Sequence, residues 1–111
     1  MSNQQLFPLL FALSLTAPVA ADTVDPVEAE SLAKKSNCFK CHHIDRKKES
    51  TPWREIARKY RGKPDAEEKL VRHVTLGEKV KFDDGHEENH KIVKSRDPVQ
   101  IKNLVGWILS L

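Results

Sequence analysis

The two cysteines of the chain stand in the segment Cys38-Phe39-Lys40-Cys41-His42, which has the order C-x-x-C-H. Two thiols one helical turn apart can each add to one vinyl group of a haem, and this gives two thioether bonds. The residue after the second cysteine then lies beneath the iron, so His42 can donate an imidazole nitrogen as the proximal ligand. This order of residues is that of haem c attachment. We therefore predict one covalently attached haem c with its iron, held through Cys38 and Cys41.

Three other uses of the cysteines compete with haem attachment. A thioredoxin-like dithiol would need a βαβ context, which the sequence lacks. A zinc site would need a second pair of ligands, which His86 and His90 could supply. A disulfide between Cys38 and Cys41 would close a strained small loop and would add little to the core. The order C-x-x-C-H favours haem over all three.

Length and composition point the same way. A chain of 111 residues allows one small domain. Its hydrophobic fraction is 39%, but residues 1–21 are apolar and contain no Asp, Glu, Lys or Arg, so residues 22–111 are poorer still in apolar side chains. Such a domain is marginally stable unless a disulfide framework, a metal or a cofactor supports it. Two cysteines exclude a disulfide framework, which leaves a metal or a cofactor.

The N-terminus reads as a secretory signal peptide over residues 1–21. Leu6–Leu15 form the apolar region, and Thr16–Ala21 form a cleavage site of small residues, although no Lys or Arg precedes them. An uncleaved membrane anchor is the alternative, but the apolar run is short for a membrane span. We expect cleavage before Asp22, export to the oxidising periplasm, and a single domain over residues 22–111 without stable membrane insertion.

Local signals in residues 22–111 predict an all-α domain of about four short helices. The predicted helices are 26–37, 52–61, 65–77 and a last one that opens at Pro98. Three of them carry the pattern of a capping box: Asp25 with Glu28, Asp65 with Glu68, and Asp97 with Gln100. Thr51 is the predicted cap of the second helix. Residues 44–50 and 78–96 receive no assignment, and a segment as long as the second is usually functional or disordered.

The sequence resembles class I cytochromes c of the small bacterial periplasmic type. Residues 30–38 are similar to the N-terminal helix that runs into the haem site, and residues 104–111 to the terminal helix that crosses it. Residues 51–60 are similar to the segment in which a proline carbonyl accepts a hydrogen bond from the proximal histidine. The resemblance implies a small helical bundle around one covalent haem, with Pro52 orienting His42. Trp53 then packs on the haem or bonds a propionate.

One feature departs from this family. Its sixth iron ligand is normally a methionine in the loop before the last helix, whereas the single methionine here is Met1. The loop instead offers nitrogen ligands, and we expect His90 to be the distal ligand because neutral imidazole is the commonest metal-binding side chain. The alternatives are His86, Asn89, Lys91, His73 on the third helix, or no sixth ligand.

The identity of the sixth iron ligand decides the function. An iron with two histidine ligands has no vacancy, which favours electron transfer at a low potential because methionine ligation raises the potential. The domain is then a carrier and not an enzyme. An open or weakly ligated iron would instead make it a gas-binding or peroxidase-like haem protein. A third reading is a small haem subunit docked to a larger oxidoreductase.

Charge suggests the kind of partner. Basic residues bracket the attachment motif, and acidic residues occupy the distal loop: Lys34, Lys35, Lys40, Arg46, Lys47 and Lys48 against Asp83, Asp84, Glu87 and Glu88. A basic rim steers acidic redox proteins, although such runs are often only solvated surface. The formal charge of +3 is modest, and nothing resembles a nucleic-acid-binding module. We expect redox proteins, not nucleic acid, as partners.

Overall fold

A computed structural model describes residues 1–5, 7–15 and 23–111. Within these ranges the helices are α1 (Pro26–Lys35), α2 (Trp53–Tyr60), α3 (Ala66–Leu76) and α4 (Pro98–Ser110), and the strands are β1 (Lys79–Lys81) and β2 (Glu87–Asn89). The all-α fold class is confirmed, with one short hairpin added. None of the helices in the described ranges has the length and apolar character needed to cross a membrane. The predicted cleavage site at residues 16–21 lies outside the described residues.

Helix α1 ends two residues earlier than the sequence predicts. It begins as expected, because the Asp25 carboxylate accepts hydrogen bonds from the amides of Val27 and Glu28 at 3.0 and 3.1 Å. It ends at Lys35, and Asn37 then adopts a left-handed conformation with φ 59°. Asparagine visits that region more readily than most residues because its short amide hydrogen-bonds locally. The chain therefore turns at Asn37 and enters a 3₁₀ turn over Cys38–Lys40.

Two predicted capping boxes are wrong because another partner holds the amide of the capping residue. The Asp25 amide donates to the Asn103 side chain at 2.8 Å, not to Glu28. The Asp97 amide donates to the Ser95 hydroxyl at 3.1 Å. That hydroxyl donates in turn to Gln100 at 2.7 Å.

The caps of the two middle helices also differ from expectation. The Asp65 side chain makes no cap hydrogen bond and instead pairs with Lys69 at 3.1 Å. Helix α2 is capped at Pro52 and not at Thr51. A proline cannot donate an amide hydrogen, so it is well suited to a position where that donor would have no partner in the helix.

Helix α4 forms the centre of the core and packs against α1, α2 and α3. Leu104 and Val105 are fully buried on α4, as are Ala29 and Ala33 on α1. Small alanines let the two helices approach closely, which is the crossing expected at this point of the sequence. The helices thereby build one apolar wall. The hairpin and the attachment turn (residues 38–42) lie opposite this wall.

The hairpin occupies part of the segment that received no assignment. Strands β1 and β2 are antiparallel, with Lys81 opposite Glu87 and Val80 opposite Glu88. The turn between them uses Gly85 at φ 90°, a value that an L side chain rarely adopts. Charged residues of opposite sign pair across the strands, so the hairpin lacks the apolar alternation by which strands are recognised.

Ser36 offers a test of how the domain holds the distal segment, residues 90–96 after β2, in place. It is 3% exposed, and its hydroxyl accepts a hydrogen bond from the Lys94 amide at 2.9 Å. We predict that Ser36→Ala lowers the free energy of unfolding by about 1–3 kcal/mol, because the Lys94 amide loses its partner. Urea unfolding followed by circular dichroism measures this change.

The matched control is Ser110→Ala, since Ser110 is exposed and its hydroxyl only donates to a helical carbonyl, that of Trp107 at 2.6 Å. This substitution should change the free energy of unfolding by less than about 0.5 kcal/mol. Equal losses of unfolding free energy in the two variants would contradict the prediction for Ser36.

Candidate haem site

A cavity of about 540 Å³ lies between the attachment turn, the helices and the hairpin. Its volume falls in the range of about 300–1,000 Å³ that is usual for sites of small molecules and cofactors. Apolar side chains from α2, α3 and α4 and from the segment before α4 form much of its wall: Trp53, Ile56, Leu70, Val74, Val93, Leu104 and Ile108. Cys38 and Cys41 also line it, together with His42, His73 and His90. The cavity therefore brings the attachment motif and the distal segment into one site.

His42 is held by two elements of the chain. Its amide donates to the Cys38 carbonyl at 3.0 Å, which closes the attachment turn. Its ring nitrogen Nδ1 lies 3.1 Å from the Thr51 carbonyl oxygen. A carbonyl only accepts, so Nδ1 carries the hydrogen and Nε2 keeps a free lone pair. This is the tautomer that a proximal ligand requires.

The carbonyl that orients His42 belongs to Thr51, so the role that the resemblance implies for Pro52 is wrong. The Pro52 carbonyl is already used, because it accepts the amides of Glu55 at 3.0 Å and Ile56 at 3.1 Å in the first turn of α2. Pro52 acts indirectly. A residue before proline avoids the helical conformation, which keeps Thr51 outside α2.

Trp53 lies beside His42. The centres of their rings are 5.5 Å apart, and Trp53 is 3% exposed. On its other sides Trp53 meets Phe39 at 5.1 Å and the edge of Trp107 at 5.7 Å. The indole thus connects the attachment turn to α4 and forms part of the cavity wall.

His90 faces His42 across the cavity, and the centres of the two rings are 6.1 Å apart. Its Nδ1 lies 2.9 Å from the Lys91 carbonyl oxygen, so its Nε2 is also free. Imidazole nitrogens bind a metal such as zinc at about 2.0–2.1 Å, which places two rings on opposite sides of one ion with centres about 6 Å apart. The observed separation fits a single metal ion between His42 and His90.

The remaining histidines differ in their placement. Nδ1 of His43 accepts the amides of Asp45 at 3.0 Å and Arg46 at 3.2 Å, in the loop after the motif. The His86 ring stacks on Phe82 with centres 4.3 Å apart and bonds the Asp84 carboxylate. Within the described residues, neither His43 nor His86 lines the cavity. The zinc alternative requires both His86 and His90 beside the cysteines, and only His90 is there.

His73 lies closer to His90 than sequence reasoning could show. The two ring centres are 4.0 Å apart. The helical pattern placed His73 beside Val74 on the inner side of α3, but spacing along a helix does not reveal which loop packs against it. The distal side of the cavity thus contains two imidazoles.

Burial sets the protonation of the site. It lowers the pKa of His42, His73 and His90 below the usual value, so these imidazoles are neutral at neutral pH. Neutral imidazole is the form that binds a metal.

The two thiols shift in the opposite direction. Burial raises the pKa of Cys38, and burial together with the Glu49 carboxylate raises the pKa of Cys41. A reactive dithiol needs a lowered thiol pKa, so these shifts disfavour the thioredoxin-like alternative.

The site fits a haem. A haem needs thiols at one edge, an apolar cavity for the macrocycle and one or two axial ligands from the protein. Cys38 and Cys41 would supply the thiols, and His42 and His90, with ring centres 6.1 Å apart and each with Nδ1 on a backbone carbonyl, would supply the nitrogen ligands. The described ranges contain no group of three or more His, Cys, Asp or Glu side chains that could hold a metal ion.

Comparison with known proteins gives a consistent result. The family model described as Cytochrome c matches residues 27–111. A curated cytochrome c-551 from Allochromatium vinosum is 34% identical over 80 residues, which are 72% of this chain and 82% of that protein.

Two solved structures are also similar. The class 1 cytochrome MtoD from Sideroxydans lithotrophicus ES-1 is 56% identical with a TM-score of 0.76, over 79% of this chain and 97% of that one. Wild-type cytochrome c552 from Nitrosomonas europaea is 28% identical with a TM-score of 0.57, over 73% of this chain and 96% of that one.

The three partly buried imidazoles of the cavity predict how the free energy of unfolding depends on pH. Since burial lowers their pKa values in the folded state, and an imidazole that binds a metal cannot take up a proton, the unfolded chain binds more protons at mildly acidic pH. The free energy of unfolding should therefore be fully retained above about pH 7.5 and should fall as the pH drops through about 6.5. Urea unfolding at both ends of this range measures the slope.

His73→Gln should reduce that slope, because it removes one of the three buried imidazoles. A free energy of unfolding that increases on acidification through this range would contradict the prediction.

Proposed function

The chain belongs to the cytochrome c family of electron carriers with one covalently bound haem c, and on that premise we propose that it is a periplasmic carrier whose iron has two histidine ligands. In this proposal the thiols of Cys38 and Cys41 attach the haem, His42 is the proximal ligand and His90 the distal ligand. One observation carries the proposal: the rings of His42 and His90 face each other at 6.1 Å, each with Nδ1 on a backbone carbonyl.

The bound haem supplies reversible one-electron chemistry at its iron. The chain provides the surroundings of that chemistry. The carbonyls of Thr51 and Lys91 fix the tautomers of the two histidines, so each offers a nitrogen lone pair without prior loss of a proton. Trp53, Leu104 and the other apolar side chains exclude water from the cavity. If His42 and His90 both held the iron, no position would remain for an exogenous ligand.

The potential follows from the ligand type. Methionine ligation raises the potential of a haem. The single methionine is Met1, in the predicted signal peptide, so residues 22–111 have none. We therefore propose a potential lower than that of relatives with histidine and methionine ligands.

The proposal also includes place and partners. The apolar N-terminus supports export to the periplasm, and the resulting domain shuttles electrons between redox proteins without catalysing a reaction of its own. Lys40, Lys48 and their basic neighbours around the attachment turn favour an acidic redox partner, and a larger oxidoreductase fits this description. Nucleic acid is not expected to bind.

The ligand assignment is tested by spectra of the oxidised and reduced holoprotein. We predict low-spin iron in both states and no rapid uptake of carbon monoxide by the reduced form. His90→Ala should become high-spin and bind carbon monoxide, because it removes the distal nitrogen. His86→Ala is the matched control, and it should keep the wild-type spectra because His86 stacks on Phe82.

A wild-type protein that is high-spin and binds carbon monoxide at once would overturn the proposal. The chain would then be a gas-binding or peroxidase-like haem protein. If the His90→Ala variant stays low-spin, the proposed carrier function stands, but the distal ligand is another residue.

The attachment assignment has its own test. Cys38→Ser and Cys41→Ser should each leave one thioether bond, and the double variant should lose its haem on extraction with acidified organic solvent. The absorption spectrum of the pyridine complex counts the remaining vinyl groups. Covalent haem in the double variant would show that other atoms hold it.

A further inference from the structure

The distal imidazole has an aromatic neighbour that the proposed function does not use. The His73 ring lies 4.0 Å from the His90 ring, with a tilt of 44° between their planes. His73 belongs to α3, its side chain is 36% exposed, and it lines the same cavity. The two rings therefore share one side of the site.

Backbone hydrogen bonds hold the two rings together. The His90 amide donates to the Glu78 carbonyl at 2.8 Å, and the Val93 amide donates to the Val74 carbonyl at 2.9 Å. Glu78 and Val74 lie on either side of the end of α3. The segment that carries His90 is thus attached to the helix that carries His73, and main-chain bonds keep the two residues adjacent.

The His90 ring itself has only one hydrogen bond, from Nδ1 to the Lys91 carbonyl at 2.9 Å. One bond sets the tautomer, but the second side-chain torsion of a histidine has a broad distribution, so the ring can still rotate. A second ring at 4.0 Å restricts that rotation on one face. The Nδ1 of His73 lies 3.9 Å from the Glu78 carboxylate, and the spectra of the variants below distinguish packing against His90 from ligation by the second nitrogen, Nε2.

We propose that His73 is a positioning residue for the distal ligand: its ring packs against His90 and keeps that imidazole directed at His42. This inference rests on the proposed function, since it requires His90 to be the distal ligand. On this inference, the packing of α3 against His90 helps to keep an exogenous ligand away from the iron.

The test uses the holoprotein with His73→Ala and His73→Phe. Electron paramagnetic resonance of the oxidised form reports the orientation of the axial imidazoles. The rate of carbon monoxide binding to the reduced form at saturating gas reports how often His90 leaves. We expect His73→Ala to stay low-spin, to show shifted g values and to bind carbon monoxide about two- to tenfold faster, the range that aromatic ring pairs contribute.

His73→Phe should return both readouts toward wild type, because phenylalanine restores the ring but has no nitrogen to ligate or to hydrogen-bond. Leu76→Ala is the control for a change on α3, since Leu76 is 58% exposed. It should match the wild type in both measurements.

Two results would overturn the inference alone: a His73→Ala protein identical to wild type in both readouts, or a His73→Phe protein that behaves like His73→Ala. A high-spin His73→Ala protein would make His73 the ligand and would overturn both the inference and the ligation proposed above. A high-spin wild-type protein would also overturn both the inference and the proposed ligation.

Discussion

The fold depends on a cavity that the polypeptide alone does not fill. Helix α4 packs against the other three helices, yet Leu104 and Ile108 also face the 540 Å³ cavity. A domain with so few apolar side chains gains little from burial among its own residues. The family's haem c supplies the missing apolar surface, and the covalent attachment keeps it there. The position of each element around the cavity then follows from what a haem needs at its edge and on its two faces.

Much of this arrangement could be predicted from the sequence, because several of its signals are local. The C-x-x-C-H order, the starts of α1 and α4, and the exclusion of methionine depend on residues that are close in the chain. The prediction failed where the partner is distant or belongs to the backbone. The amide of Asp25 bonds Asn103, which no capping pattern encodes. The carbonyl that bonds the His42 ring is that of Thr51, because the Pro52 carbonyl accepts amides in the first turn of α2.

The hairpin and His73 were missed for related reasons. Strands of three residues with charged side chains lack apolar alternation, so a pairing such as Lys81 opposite Glu87 leaves no signal in the sequence pattern. The hairpin also meets the attachment loop, where Lys47 pairs with Asp83. Both side chains are well exposed, so this pair contributes little at physiological salt. The proximity of His73 to His90 arises only when the hairpin returns the chain to α3.

The two histidines proposed as iron ligands are held in different ways, and this difference bears on the proposed function. The His42 amide donates to the Cys38 carbonyl and its ring bonds the Thr51 carbonyl, so its position is fixed by local geometry. His90 lies in a loop whose position depends on two backbone bonds to the end of α3. Segments of this kind open with a lower free energy than a packed helix. If His90 binds the iron as proposed, the protein would transfer electrons while this loop is in place and would accept a gas molecule only when the loop opens. Loop stability therefore separates a carrier from a gas-binding protein as much as the identity of the sixth ligand does.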